Sequence, residues 1–311
     1  MIKKNIKNFI SMIRIDHWFK NIFIIPGIIF AFLLTNNTFQ IEEIIYYLSL
    51  IFSVCLIASA NYLINEFLDS KFDKYHPSKK NRPAVNNNFK LLHILIVYFL
   101  LVILGFLFAS LSNYSFKVML LILLFMGFLY NVEPIRLKDR PYLDILSESL
   151  NNPIRLLLGW YAVLSLTLPP SSLILSFWMG GAFLMTVKRF AEMRSVNKKY
   201  LQKYRVSFKF YTENLLLLKS FFYSLMTAFF LGIFLIKYRI EYLITFPFLS
   251  LLFVYYFSIG LRRNSATQTP EKLYKNKYLN IIVLINIIVF LISTFYDFDY
   301  LNILTETIKF D

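Results

Sequence analysis

Acidic residues are scarce in this chain: 18 Asp and Glu stand against 33 Lys and Arg, and charges of both signs make up only 16% of its 311 residues. Cysteine is rarer still. Cys55 is the only one, so the chain has no internal disulfide framework, and its place inside a long apolar run makes it a small core residue. A soluble domain rarely combines so little charge with 58% hydrophobic and 19% aromatic residues. Linkers and clear short-period repeats are also missing, so residues 1–311 read as one domain.

What the sequence has is long apolar runs. Nine approach the roughly 20 residues a helix needs to cross a bilayer: Ile15–Leu34, Ile44–Ile64, Leu91–Ala109, Phe116–Tyr130, Ile145–Leu168, Leu173–Val187, Leu215–Ile236, Tyr242–Leu261 and Tyr278–Tyr296. They predict an all-α polytopic membrane protein, a bundle of about nine transmembrane helices. The formal net charge of +15 could point to nucleic acid. The cations, however, fall in short alternating loops, the pattern that orients membrane helices, so no nucleic-acid partner is expected. Placing the N-terminus in the cytoplasm puts 27 of the 33 Lys and Arg inside, and an odd helix count then puts the C-terminus, with Lys309 and Asp311, outside. Met1 to Lys20 is basic but runs into a long apolar span with no small-residue cleavage site, so it reads as a retained first helix with an amphipathic lead-in.

The expected outer loops are short and carry nothing catalytic; the cytoplasmic loops hold nearly every ionisable group of interest. Asn65, Asp69 and Asp73 are four apart at the end of the second span, so a helix lines them along one face with Glu66 beside them. Such a stripe suits a cation, and Mg2+ bridging to a phosphate is the natural one, because it takes oxygen ligands and leaves positions for substrate. A solvated helix end is the alternative. Directly downstream, Pro77 and Pro83 bracket Lys79, Lys80 and Arg82, placing phosphate-binding cations on a stiff loop near the acids, although a positive-inside anchor would look alike. His76 alone is more often a capping residue than a catalyst.

A second constellation runs from Tyr130 and Asn131 through Lys138 to the polar stretch Asp144, Glu148, Asn151, Asn152 and Arg155. Asp144, Glu148, Asn151, Arg155 and Gly159 share a helical face, and buried ionisable groups in a membrane usually mark function. A structural Glu148–Arg155 pair is the alternative. Pro153 lies inside this stretch and predicts a kink there. The third constellation, Lys188, Arg189, Glu192 and Arg194, follows the sixth span, and a helix-surface pair between Lys188 and Glu192 is its plain reading.

Taken together, these residues resemble the UbiA superfamily of intramembrane prenyltransferases, whose signature Asn-Asp-x-x-Asp-x-x-x-Asp reads here as Asn65-Glu66-x-x-Asp69-x-x-x-Asp73, with Glu in place of the first Asp. The continuation His76-Pro77-x-Lys79-x-x-Arg82-Pro83 looks like the branch that makes polyprenyl-phosphate phosphoribose, as do Asp16, Trp18, Lys20 and Asn21 near the start. The resemblance covers essentially the whole chain. It implies a Mg2+-dependent transferase in a bacterial inner membrane, with its site facing the cytoplasm and a role in the cell envelope. A 5-phosphoribosyl group would pass from phosphoribosyl diphosphate to a polyprenyl phosphate. Asn65, Glu66, Asp69 and Asp73 would hold the metal. Lys20, Lys79, Arg82, Tyr130, Lys138, Asp144, Glu148, Arg155, Lys188, Arg189 and Glu192 would bind substrates.

Where prenyl-diphosphate users in the superfamily carry a second Asp-rich motif, this chain has Lys188-Arg189-x-x-Glu192, which fits a donor with an additional phosphate better than a second metal. The stretch from Ser147 to Arg155 is more polar than that branch leads one to expect. The rival readings are a prenyltransferase acting on a prenyl diphosphate and, in a different class, a transporter whose acidic stripe is an ion site. Transporters often show paired halves with broken helices, and no convincing symmetry is visible here.

Overall fold

In the computed structural model, which describes residues 2–301 apart from 36, 263, 264, 269 and 299, the apolar runs are helices and every regular element described is helical. The chain begins with α1 (Ile2–Met12), passes through a 3-10 segment (Ile15–Phe23) and continues as α2 (Ile24–Leu33), α3 (Ile44–Asp73), α4 (Leu91–Phe108) and α5 (Tyr114–Asn131). After a short connection come α6 (Leu143–Ser149), α7 (Asn151–Val163), α8 (Ser171–Ser195), α9 (Glu213–Tyr238), α10 (Phe246–Leu261) and α11 (Lys277–Phe295). Eight helical stretches among the described residues are long and apolar enough to cross a membrane, the first combining the end of α1 with α2. The ninth expected span is the pair α6 and α7. Residues 302–311, which carry Lys309 and Asp311, lie outside the described residues, as does Arg263.

The expected span Ile145–Leu168 differs from a plain helix for a reason visible at Pro153. It has no N–H to offer the Ser149 carbonyl, so it sits in the first turn of α7, where that loss is tolerated. Nearby carbonyls find side-chain donors instead. Trp178 Nε1 donates to Leu146 O at 3.0 Å and Asn151 Nδ2 to Glu148 O at 3.0 Å, the kind of repair that lets an interrupted helix exist at membrane depth.

Helix α3 has 30 residues. At 1.5 Å per residue it is about 45 Å long, beyond a hydrocarbon core of about 30 Å, so its last turns carry Asn65–Asp73 out to the polar end of the bundle. Helix α2 crosses α7 with the two backbones in close approach. A Cβ on Gly27 would lie 2.0 Å from Leu156 O, and one on Gly159 would lie 2.0 Å from Ile24 O, so only glycine permits this backbone approach. Phe30, one turn along α2, packs edge-on against Phe234 at 5.1 Å and Phe290 at 5.9 Å, tying α2 to α9 and α11. Ile45, Leu92, Leu218, Phe229 and Val254 stay exposed on the outer faces, and such a broad apolar surface is what lipid covers. Lys219, inside α9, is buried without a hydrogen bond; its ammonium lies 3.4 Å from the Tyr142 ring centre and 4.4 Å from that of Tyr211, so two aromatic faces receive the charge.

Candidate active site

The polar end of the bundle surrounds a cavity of about 590 Å³. Three successive residues of one α3 face, Asn65, Asp69 and Asp73, reach its wall, while Glu66, about 100° further round the helix, does not. Lys74 is exposed elsewhere. Lys79 and Arg82 come from the loop after α3, Tyr130, Asn131, Arg136 and Lys138 from the end of α5 and its loop, and Glu148, Asn151, Asn152 and Arg155 from α6 and α7. Lys188 of α8 and the loop residues Tyr204 and Arg205 line it as well, with Arg14, His17 and Lys20 from the N-terminal segment.

The acids of the stripe are held by bases. Asp69 Oδ1 accepts Lys138 Nζ at 2.5 Å and Arg136 Nη2 at 2.8 Å, and Asp73 accepts Arg82. Lys138 also donates to Asn131 Oδ1 at 2.8 Å, and Asn65 Nδ2 donates to the same oxygen at 2.5 Å. Burial pulls the Lys138 ammonium down to about 8 against the opposing pull of Asp69, which leaves a cation that depends on its anionic surroundings. His76 is pushed down to about 3, chiefly by burial and next by the Lys79 charge, so it is neutral near pH 7. Its Nδ1 accepts the backbone N–H of Ser78 and of Lys79, both at 3.3 Å, which shapes the turn that presents Lys79. Lys79 in turn donates to Glu192 Oε1 at 2.8 Å and to the Tyr204 hydroxyl.

Behind the wall lies a second layer of charge, and here the structure departs from the sequence reading. Asp144, Arg189 and Glu192, expected to meet substrate, do not reach the cavity; each has 0% exposure. Arg189 donates to Asp144 Oδ2 at 3.4 Å, to Glu192 Oε2 at 3.1 Å, to the Tyr130 hydroxyl at 3.1 Å and to Glu148. Asp144 also accepts Tyr211 OH at 2.5 Å and Ser207 Oγ at 3.1 Å. This cluster fastens α6 to α8 and the 205–211 loop. The Glu148–Arg155 pair considered from the sequence does not form: Glu148 accepts Lys188 at 3.0 Å and Tyr130 OH at 2.7 Å, while Arg155 Nε donates to Asn21 Oδ1 at 2.8 Å.

Glu66, expected beside the metal, is also off the wall. Its Oε2 accepts Arg14 Nε at 3.0 Å and Nη2 at 2.8 Å. Sequence reasoning missed Arg14, Arg136 and Arg205 on the wall, because loop and 3-10 residues have no helical spacing to betray the side they face. Arg14 and Arg136 share one unusual mark, positive backbone φ angles of 51° and 29°, which a sequence does not display.

No group of three or more His, Cys, Asp or Glu side chains that could hold a metal occurs among the described residues. Asp69, Asp73 and Asn65 could therefore contribute only part of a Mg2+ shell. That suits an ion that binds one or two carboxylates and takes its remaining oxygens from substrate phosphates and water.

Solved structures with this architecture include a UbiA homolog from Archaeoglobus fulgidus bound to DMAPP and Mg2+, with a TM-score of 0.68 at 17% identity over 93% of this chain and 100% of that one. The same homolog bound to GPP and Mg2+ gives 0.68 at 16% identity, over 91% and 99%. A structure of digeranylgeranylglyceryl phosphate synthase gives 0.63 at 20% identity, over 94% and 99%. At these identities the likeness is one of fold. Among curated proteins, none matches the chain. The sequence model of the UbiA prenyltransferase family matches residues 23–284, most of the length and every segment that lines the cavity except the N-terminal one, and the chain therefore belongs to the UbiA prenyltransferase family.

Proposed function

We propose that this protein is a Mg2+-dependent transferase that moves a 5-phosphoribosyl group from phosphoribosyl diphosphate to a polyprenyl phosphate and releases diphosphate. The observation that carries the reading is the charge of the cavity wall, where ten Lys and Arg face four Asp and Glu. Phosphoribosyl diphosphate and a lipid phosphate bring four phosphoryl groups into one site, whereas a prenyl diphosphate brings two. The surplus of cations beyond those that neutralise Asp69 and Asp73 matches the larger anionic load.

In this reading Asp69 and Asp73, with Asn65, hold the metal, which neutralises charge on the departing diphosphate. Lys79, Arg82 and Lys138 bind the diphosphate oxygens, and Lys188 with Arg205 binds the 5-phosphate. The bond from the anomeric carbon to the diphosphate breaks with oxocarbenium character, and an oxygen of the lipid phosphate forms the new bond. That oxygen is already anionic, so no general base is needed, and the side chains act by positioning and by electrostatic stabilisation. Lys20 and Arg155 hold the lipid phosphate. Phe19 and Ile22 line the same cavity and are 47% and 60% exposed on the N-terminal span, which provides a lateral entry for an isoprenoid chain. In this reading the membrane is a bacterial inner membrane, and the basic loops around the cavity support a cytoplasmic orientation of the site.

The rival, prenyl transfer, draws on the DMAPP and GPP complexes of the Archaeoglobus fulgidus homolog. Purified protein in detergent with Mg2+ is given either labelled phosphoribosyl diphosphate with polyprenyl phosphate, or labelled prenyl diphosphate with aromatic and glycerophosphate acceptors. The proposal expects a labelled lipid only from the first mixture. A labelled product only from the second replaces it with prenyl transfer.

A further inference from the structure

The signature position Glu66 lies on α3 between two cavity-lining residues, Tyr62 and Asn65, and the cavity-lining Asp69, yet does not reach the wall itself. Its side chain is 3% exposed, and among the described residues its carboxylate forms one ion pair, with Arg14, while the Arg82 charge also acts on it. Arg14 Nε and Nη2 both donate to Oε2, while Oε1 is buried without a hydrogen-bond partner. Arg14, unlike Glu66, lines the cavity. Its guanidinium also lies 5.9 Å from the centre of the Tyr62 ring. Two of its three nitrogens are engaged by Glu66, and Nη1 makes no hydrogen bond to another described residue. The backbone pays for this placement: Arg14 has φ 51° and ψ 59°, a left-handed conformation uncommon outside glycine, just where α1 gives way to the 3-10 segment. Strain of this kind persists where the surroundings dictate it, and at a binding site it sets a side chain in advance.

We infer that Glu66 is a positioning residue for Arg14, and that Arg14 is a contact for the diphosphate group of the substrate, so that the Glu at this signature position holds a phosphate-binding cation where a metal ligand was expected. A guanidinium gripped on two nitrogens presents its third in a fixed direction, which suits an oxyanion. The inference needs only a diphosphate-bearing substrate, which phosphoribosyl and prenyl transfer share, so it stands or falls apart from the choice of donor.

The test is the binding of inorganic diphosphate to the full-length protein in detergent, followed by calorimetry in the presence of EDTA. With divalent metal removed, a metal ligand has no part in binding, whereas a positioning residue still does. Arg14→Gln and Glu66→Gln should each weaken diphosphate binding by roughly tenfold, the scale of one charge-assisted contact. The double substitution should be no weaker than Arg14→Gln alone, because both remove the same contact. The Mg2+ concentration for half-maximal turnover should be unchanged in Glu66→Gln. Unaltered or tighter diphosphate binding by Glu66→Gln in EDTA, with a raised Mg2+ requirement, would overturn the inference and return Glu66 to the metal. Should Arg14→Gln fail to fold because it strands the Glu66 carboxylate, the double variant, which leaves no buried charge behind, gives the reading: diphosphate binding equal to wild type refutes it.

Discussion

Lys188 and Arg189 are neighbours in sequence with different surroundings. Arg189 is fully buried among Asp144, Glu148 and Glu192, and removing one member of such a cluster leaves uncompensated charge costing about 3–5 kcal/mol. Arg189→Ala should therefore lower the melting temperature in detergent sharply, and activity with it, whichever substrate is limiting. Lys188 reaches the cavity, and among the described residues its one ion pair is with Glu148, which keeps Tyr130 and Arg189 as donors. Lys188→Ala should melt near wild type and raise the Michaelis constant for the donor by about tenfold. A melting loss for Lys188→Ala as large as that for Arg189→Ala would place both in the scaffold. On α3 the contrast is between Asp73, on the wall, and Lys74, exposed elsewhere. Asp69→Asn and Asp73→Asn should each cut turnover by about a hundredfold or more without loss of membrane insertion, the scale of losing a group that stabilises developing charge. Lys74→Ala should be close to wild type; equal losses for Asp73→Ala and Lys74→Ala would mean the stripe is misplaced.

Helices explain which of these residues could be read in advance. Asn65, Asp69 and Asp73 were legible because i, i+4, i+8 spacing fixes a common face once the segment is helical, and the same periodicity grouped Glu148, Asn151 and Arg155. Asp144 shares that face but belongs to the first turn of α6, before the break at Pro153, where Arg189, Ser207 and Tyr211 claim it. Periodicity gives a direction and not a depth, which is why Arg189 and Glu192 were recognised as a charged group while their burial was not. Arg136 and Arg205 sit in loops whose return path over the cavity depends on tertiary packing. The interruption between α6 and α7 was foreshadowed by Pro153 alone, whereas the Gly27–Gly159 crossing left no mark in the pattern, since a glycine in an apolar run is silent until its neighbour is known. That crossing makes its own prediction. Gly159→Ala places a methyl against the Ile24 carbonyl, so it should destabilise by about 1–3 kcal/mol or more, seen as a lower melting temperature, while Gly232→Ala, with nothing within 4 Å of a new Cβ, should not.

Across the whole molecule, the loops that follow α3, α5, α8 and α10 each bring cations to the cavity, among them Lys79, Arg82, Arg136, Lys138, Arg205 and Lys272, and three membrane-length helices separate the 198–203 loop from the C-terminal side of α11. A reporter placed in the 198–203 loop should report cytoplasm and one fused after residue 311 should report the opposite side. Both on one side would make the number of crossings between them even. The exposure of Phe19 and Ile22 at the edge of the cavity has a kinetic consequence. A substrate that arrives through that edge is met in two dimensions, so what governs its encounter rate is its mole fraction in the surrounding film, whatever the volume of the tube. Adding inert detergent at fixed total lipid phosphate should slow turnover, and adding buffer at fixed lipid-to-detergent ratio should not, while the water-borne partner obeys the opposite rule. On the proposed reaction the two products would be parted in the same way, the lipid left to wander in the film and the diphosphate lost to the bulk, so that their re-encounter would be disfavoured by geometry.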